Sequence, residues 1–293
     1  MRLVTIPNWS FAREQTLERR FLEILSHPAV TLHSYRSDVD LNRTVTAFSA
    51  DSTVLVDMVI RLALAAFEVI DLNRHVGAHP RIGALDVCPV VIPIGKRSPT
   101  QSELLHALAA AENLASQLAA AFDLPVFLYE RSERGRHEAD LTSLRRGGFG
   151  GLTERTLKPD FGPTAAHPRL GVSIVGVRDF MISVNVDLRT DNLSIADRIA
   201  GQVRTMRVEG DERMLGVRAA ALPLVSRMLS QIGLHLTLPD LTEVDPILDW
   251  ILEAAIEEDV AIADIELVGV IRDVDMSGAE RLAVRPEQII ETD

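Results

Sequence analysis

The chain has 293 residues, 47% of them hydrophobic and 25% charged, a balance that suits a globular protein long enough for two cores. Its 42 acidic residues outnumber 30 Lys and Arg, and the net charge of −12 argues against a nucleic-acid surface while leaving room for a small anion on a local basic cluster. The single cysteine, Cys88, excludes an internal disulfide and fits a reducing cytoplasm, and no Cys/His spacing of the zinc type predicts a metal site. Met1 to Ser10 lacks the apolar core of a secretory signal. No run approaches the roughly 18 apolar residues of a membrane span, so no membrane partner is expected. Aromatic residues are 4%, which leaves the core to Leu, Val, Ile and Ala.

In chain order, Leu3–Pro7 reads as a short strand and Phe11–Leu25 as a helix with Phe21, Leu22 and Leu25 on one face. Val30–Tyr35 and Thr44–Phe48 read as strands around a polar turn from Arg36 to Arg43. Thr53–Ile70 is predicted as a buried helix, capped by Asp51 or Ser52, with Asp57, Arg61 and Glu68 forming a narrow wet stripe. Val87–Ile94 is an apolar run of the central-strand kind, Ser102–Phe122 an alanine-rich helix and Pro125–Tyr129 another strand. Arg131–Asp140 is a charged loop, and Gly147–Gly151 reads as flexible. Pro159-Asp160-Phe161-Gly162-Pro163 excludes regular structure and belongs to a long functional loop that ends near Gly171.

A second half starts near Val172. Met181–Leu188 alternates as a half-buried strand. Ser194 is expected to cap a helix with Ile195, Ile199 and Val203 on one face and Asp197 as its capping-box partner. Ile232–Leu238 alternates again, Pro246 opens a helix that buries Ile247, Ile251 and Ala255, and Ile265–Ile271 closes the set. The predicted class is α/β (α+β): two subdomains, 1–171 and 172–293, each of β-α-β-β-α-β type with mixed sheets and a ligand cleft between them.

The block from Gly77 to Pro89 carries the strongest chemistry. His79 precedes Pro80 and is held off helical geometry, so an imidazole able to exchange a proton near neutrality stands at a strand entrance. Arg81 can grip a carboxylate in two-pronged fashion, and Asp86 can orient an imidazole or simply begin the strand. On physics alone the block can equally be a turn with a surface ion pair. Cys88, flanked by Val87 and Pro89, reads as buried and inert. His167 ranks second among the histidines, and His235 lines a cleft or meets solvent.

His75 and Gly77 with His79-Pro80-Arg81-Ile82-Gly83-Ala84-Leu85-Asp86-Val87-Cys88-Pro89 resemble the signature of the glutamate formiminotransferase family. Pro7-Asn8-Trp9-Ser10, Asn42-Arg43-Thr44-Val45 and Arg146-Gly147 through Pro163 resemble other segments of that family in the same order. The resemblance implies an enzyme of one-carbon metabolism and histidine degradation that moves a formimino group from N-formiminoglutamate to tetrahydrofolate, giving 5-formiminotetrahydrofolate and glutamate. It implies a cytoplasmic homodimer with folate and donor as its partners, and a chain ending at Asp293 as the transferase without a cyclodeaminase domain. The family's catalytic His falls on His79, with Asn42, Arg43 and Arg81 as substrate-binding residues. Its folate-contacting loop falls on Gly162, Pro163, Thr164, Ala165, Ala166, His167, Pro168, Arg169, Leu170 and Gly171. Arg43, Arg81 and Arg169 are the expected counter-charges for the carboxylates of folate and glutamate. Five positions depart from the family pattern: Phe11 and Ala12 stand where Glu-Gly is common, Arg36 where an acid is common, and Val39 and Leu41 where many relatives have Pro and His. They leave a second reading open, a paralogue with another formimino or formyl donor, or a folate-binding protein without activity.

Overall fold

A computed structural model describes residues 1–137, 145–152 and 155–292, and is mixed α/β throughout. The chain divides into two compact units, residues 1–92 with 98–178, and residues 93–97 with 179–293.

The first unit is built on a seven-stranded mixed sheet. Strands β1 (Arg2–Thr5) and β2 (Asn8–Trp9) are two pieces of one line between β4 (Arg43–Asp51) and β5 (Leu85–Val91), interrupted at Pro7, which has no N–H to give a ladder. Strand β3 (Thr31–Asp38) pairs antiparallel with β4 across the turn of residues 39–42. Beyond β5 lie β7 (Ser173–Val177) and β6 (Val126–Leu128), both parallel to their neighbours. The sequence reading opened the second half with the segment that forms β7; it is instead a strand of the first sheet, with all five residues buried.

Helix α1 (Gln15–Leu25) is shorter than predicted, since residues 11–14 form a bend that inserts Phe11 into the core against Phe21. Leu17, Phe21 and Leu25 are its buried face, whereas Leu22 is exposed. Helix α2 (Ser52–Val69) buries nine residues and exposes Asp57, Arg61 and Glu68, the predicted stripe, with Arg61 paired to Asp57 at 2.8 Å. Helix α3 (Gln101–Phe122) opens on a capping box formed by Thr100 and Glu103.

The second unit contains β8 (Ile182–Leu188), α4 (Leu193–Glu209), β9 (Val217–Leu224), β10 (Leu229–Leu236), α5 (Val244–Glu257) and β11 (Ile262–Val268). Its four-stranded sheet runs β11-β8-β10-β9 with every pair antiparallel, the split β-α-β arrangement read from the sequence. Two local details differ. Asn192 rather than Ser194 caps α4, accepting from the Ser194 N–H, and Asp197 reaches Arg204 instead of the helix start. Pro246 sits at the third position of α5, not the first.

Part of the Arg131–Asp140 loop lies outside the described residues. Gly147–Gly151, read as flexible, is ordered turn structure: Gly151 N–H donates to the Gly147 carbonyl, and Leu152 is fully buried. Leu152 and Leu157 join Ile82, Phe127, Tyr129, Val172 and Ile174 in one apolar cluster, with Ala166 packed on it. That cluster lies under the turn that carries His79 and fixes the long loop to the sheet.

Candidate active site

Gly83 and Gly171 set the backbone of the site. They bridge each other where the end of the loop meets the His79 turn. A β-carbon on Gly83 would lie 2.0 Å from the Val172 carbonyl oxygen, and one on Gly171, whose φ is +73°, 2.0 Å from that of Ile82. Only glycine permits such an approach.

Asn42 ends the β3–β4 turn at φ +46°, a conformation that Asn tolerates better than most residues. Its Oδ1 accepts from the Ala12 N–H at 2.9 Å and its Nδ2 donates to the Val76 carbonyl at 3.1 Å. It therefore ties the N-terminal bend to the segment before His79. Arg81 is buried, and its guanidinium donates to the carbonyls of Leu41, Asn42 and His79 at 2.7 to 3.1 Å. It stitches the same two segments together.

Arg43, first residue of β4, reaches His79. Its Nε and Nη2 both donate to Asn8 Oδ1, at 3.1 and 2.5 Å, and its Nη1 stands 2.6 and 2.7 Å from the two ring nitrogens of His79. Asp86 on β5 accepts from Arg145 Nη2 at 2.8 Å and from the Ile82 N–H at 2.9 Å, and lies 4.0 Å from Arg43 Nη1. Burial, then the charges of Arg43 and Arg145, hold the His79 imidazole well below its usual range, so it is neutral at pH 7. Burial lowers Arg43 to about 10, with Asp86 opposing the shift and Arg145, Arg81 and Arg36 adding to it, so the guanidinium stays charged.

Arg145 and Asn8 are the two residues here that sequence reasoning did not single out. Asn8 stood in a motif already noted, whereas Arg145 is 59 positions from its partner Asp86 and left no local signal.

Asp38 is engaged within its own turn. Its Oδ1 accepts from the N–H groups of Asp40 and Leu41, and Arg36 pairs with its Oδ2 at 3.4 Å. Arg36 thus adds positive charge near Arg43 where the family pattern has an acid. Leu41 is buried in the same turn.

The loop from Gly162 to Gly171 closes on reciprocal backbone bonds of 2.9 Å between His167 and Gly171. His167 Nδ1 accepts from the N–H groups of Arg169 and Leu170, so this imidazole shapes the turn. Arg169 donates to the carbonyls of Phe67 and Ile70 and caps the C-terminal end of α2. Thr164 and Ala165 are exposed at the tip with Gly162 and Pro168, whereas Leu170 is buried. Asp160, before the loop, accepts from the Leu128 N–H and from His137. Cys88 is fully buried and its thiol is pushed up to about 12 by burial, the inert core position expected of it. Among the described residues no group of three or more His, Cys, Asp or Glu side chains is placed to hold a metal ion. No described helix is long and apolar enough to cross a membrane.

The family model for the formiminotransferase domain, N-terminal subdomain, matches residues 2–178. The chain belongs to the formiminotransferase family. A glutamate formimidoyltransferase from Streptococcus pyogenes serotype M1 is 37% identical over 204 residues, 68% of this chain and 66% of that protein. A glutamate formimidoyltransferase from Thermoplasma acidophilum is 33% identical over 239 residues, 79% of this chain and 75% of that one. The formimidoyltransferase-cyclodeaminase of Sus scrofa is 30% identical over 273 residues, and this chain spans 49% of its length. The formiminotransferase match covers Asn8, Arg43, His79, Arg81, Asp86, Arg145 and the whole loop.

Three histidines of this chain make its stability sensitive to acid. His75 falls from 6.5 to about 4 through burial and the nearby charges of Arg81 and Arg13, and His79 and His167 are lowered with it. The unfolded chain takes up these protons near pH 6.5 and the folded chain resists them. Their contribution is therefore complete above about pH 6.5 and is lost as pH falls towards 4. The urea midpoint of the wild type is expected to drop between pH 7 and pH 4.5, and His75→Gln to flatten that drop. An identical pH dependence in both proteins would contradict the assignment.

Proposed function

We propose that this chain is a folate-dependent glutamate formimidoyltransferase, which takes the formimino group of N-formiminoglutamate and passes it to tetrahydrofolate. The observation that carries the reading is a neutral imidazole, His79, set beside the charged guanidiniums of Arg43 and Arg145. The names of the relatives point the same way.

Tetrahydrofolate supplies the accepting amine. A carbon–nitrogen bond forms to that amine, the bond from the same carbon to the glutamate nitrogen breaks, and one proton must pass from the first nitrogen to the second. A neutral imidazole performs both halves: it accepts the proton as base and returns it as acid. Among the described residues, Arg43, Arg81 and Arg145 face one carboxylate, Asp86. The excess positive charge suits a donor with two carboxylates, and guanidiniums hold carboxylates in a fixed geometry. Arg81 contributes charge and backbone order, since its donors are engaged by carbonyls. The exposed tip of the loop, at Thr164 and Ala165, offers backbone groups to the folate. In this reading the enzyme is a cytoplasmic homodimer of one-carbon metabolism, in the setting of histidine breakdown.

The test follows the carbon. With donor labelled in the formimino carbon and tetrahydrofolate present, the label is expected to move onto the folate as unlabelled glutamate is released one-for-one. Label retained on the donor at full protein occupancy would overturn the reading, and transfer only from a formyl donor would replace it by the paralogue reading.

A further inference from the structure

We propose that Arg43 keeps the lone pair of His79 closed until a substrate carboxylate draws the guanidinium away, with Asn8 as the positioning residue that aims it. The inference rests on the reading of His79 as the proton carrier.

The hydrogen bonds assign the ring. His79 Nδ1 lies 2.7 Å from the Pro80 carbonyl oxygen, which can only accept, so Nδ1 carries the proton of the neutral imidazole. The lone pair is then on Nε2. Arg43 Nη1 stands 2.6 Å from Nδ1 and 2.7 Å from Nε2, and of the two only Nε2 can accept its N–H. Arg43 has little freedom to be elsewhere. Its two other nitrogens both donate to Asn8 Oδ1, and Asn8 is itself anchored by its Nδ2 to the Ile6 carbonyl at 2.8 Å. The chain of contacts runs from the β1–β2 break through Asn8 and Arg43 to the imidazole.

A base in this state is not available. Its one acceptor is occupied, and a cation lies against it. Among the described residues, the groups that face His79 are Arg43 from β4, Arg145 and its own neighbour Arg81, with Asp86 from β5 shared between Arg43 and Arg145. A carboxylate is a stronger acceptor than an imidazole nitrogen and carries the opposite charge, so on arrival it takes the Arg43 Nη1 donor and cancels part of the field. The base is released only when an anion is in place. Coupling of this kind keeps His79 from acting on the amine of tetrahydrofolate while the donor position is empty.

The experiment reads the imidazole directly. The full chain is labelled with ¹³C-histidine, the His79 signal is identified by its loss in His79→Ala, and its titration is followed by NMR with and without saturating L-glutamate. Without glutamate the midpoint is expected well below the free-imidazole value of about 6.5. With glutamate it is expected to rise by about one unit or more, as removal of an adjacent like charge requires. Asn8→Ala is expected to raise the midpoint without glutamate and to shrink the glutamate-dependent shift. The proposal is overturned by a midpoint near that of free imidazole in the unliganded wild type, by glutamate binding that leaves the midpoint in place, or by a failure of glutamate to bind. A glutamate-dependent shift in a protein that transfers no formimino group would overturn the functional reading alone. Transfer without the shift would overturn this inference alone.

Discussion

His79→Ala is expected to lower kcat by about 10²- to 10⁴-fold, the range in which a positioned acid–base group contributes. The side chain is only partly buried, and the backbone around it is held by other residues. Arg81 grips the carbonyls of Leu41, Asn42 and His79, and the Ile82 N–H is held by Asp86, so the turn survives loss of the ring. The variant is therefore expected to keep its urea midpoint and to bind glutamate through the remaining arginines. Loss of rate with the fold intact separates a chemical role from a structural one. A variant as fast as the wild type would remove His79 from the mechanism.

Asp86→Ala has the largest expected effect on stability. The carboxylate is 2% exposed and answers three groups: Arg145, Arg43 and the Ile82 N–H. Its removal leaves the part-buried guanidiniums of Arg43 and Arg145 facing one another without a counter-ion, and the upper bound is the cost of about 3–5 kcal/mol for deleting one partner of a fully buried pair. Asp86→Asn keeps an acceptor for the Ile82 N–H and removes only the charge, so it is expected to lose less. Denaturant midpoints of the three proteins check the order. An Asp86→Ala variant within about 1 kcal/mol of wild type would show that solvent, not Asp86, balances the arginines.

The parts of the fold that were legible in the sequence are those with a clear period. The alternation of Ile182, Val184, Val186 and Leu188 gave β8 almost to the residue, and Asp57, Arg61 and Glu68 marked the wet stripe of α2. Where a pattern has no period it could not assign a partner. Ile174–Val177 carries no polar side chain, which shows a buried strand but not the sheet it joins. Phe11 reads as helix by its neighbours, yet tertiary packing against Phe21 decides its place.

The same limit holds in the candidate site. A sequence shows that an arginine is present and not what its guanidinium meets. Arg43, Arg81 and Arg169 were all candidates as counter-charges, Arg169 the weakest of them. In the structure Arg43 meets an imidazole, while Arg81 and Arg169 meet backbone carbonyls. Arg145 joined the cluster only through a contact across 59 positions, and His167 proved to be a turn acceptor. The His-Pro-Arg block itself was legible because glycine, proline and an imidazole at a strand entrance are local features.

The central claim is that His79 carries the proton in formimino transfer, and chemical rescue tests it most directly. Free imidazole added to His79→Ala is expected to raise its transfer rate by at least about tenfold, in proportion to the unprotonated imidazole present, with no effect on the wild type. A His79→Ala rate that starts at the wild-type level, or that stays depressed at every imidazole concentration while donor and folate still bind, would contradict it.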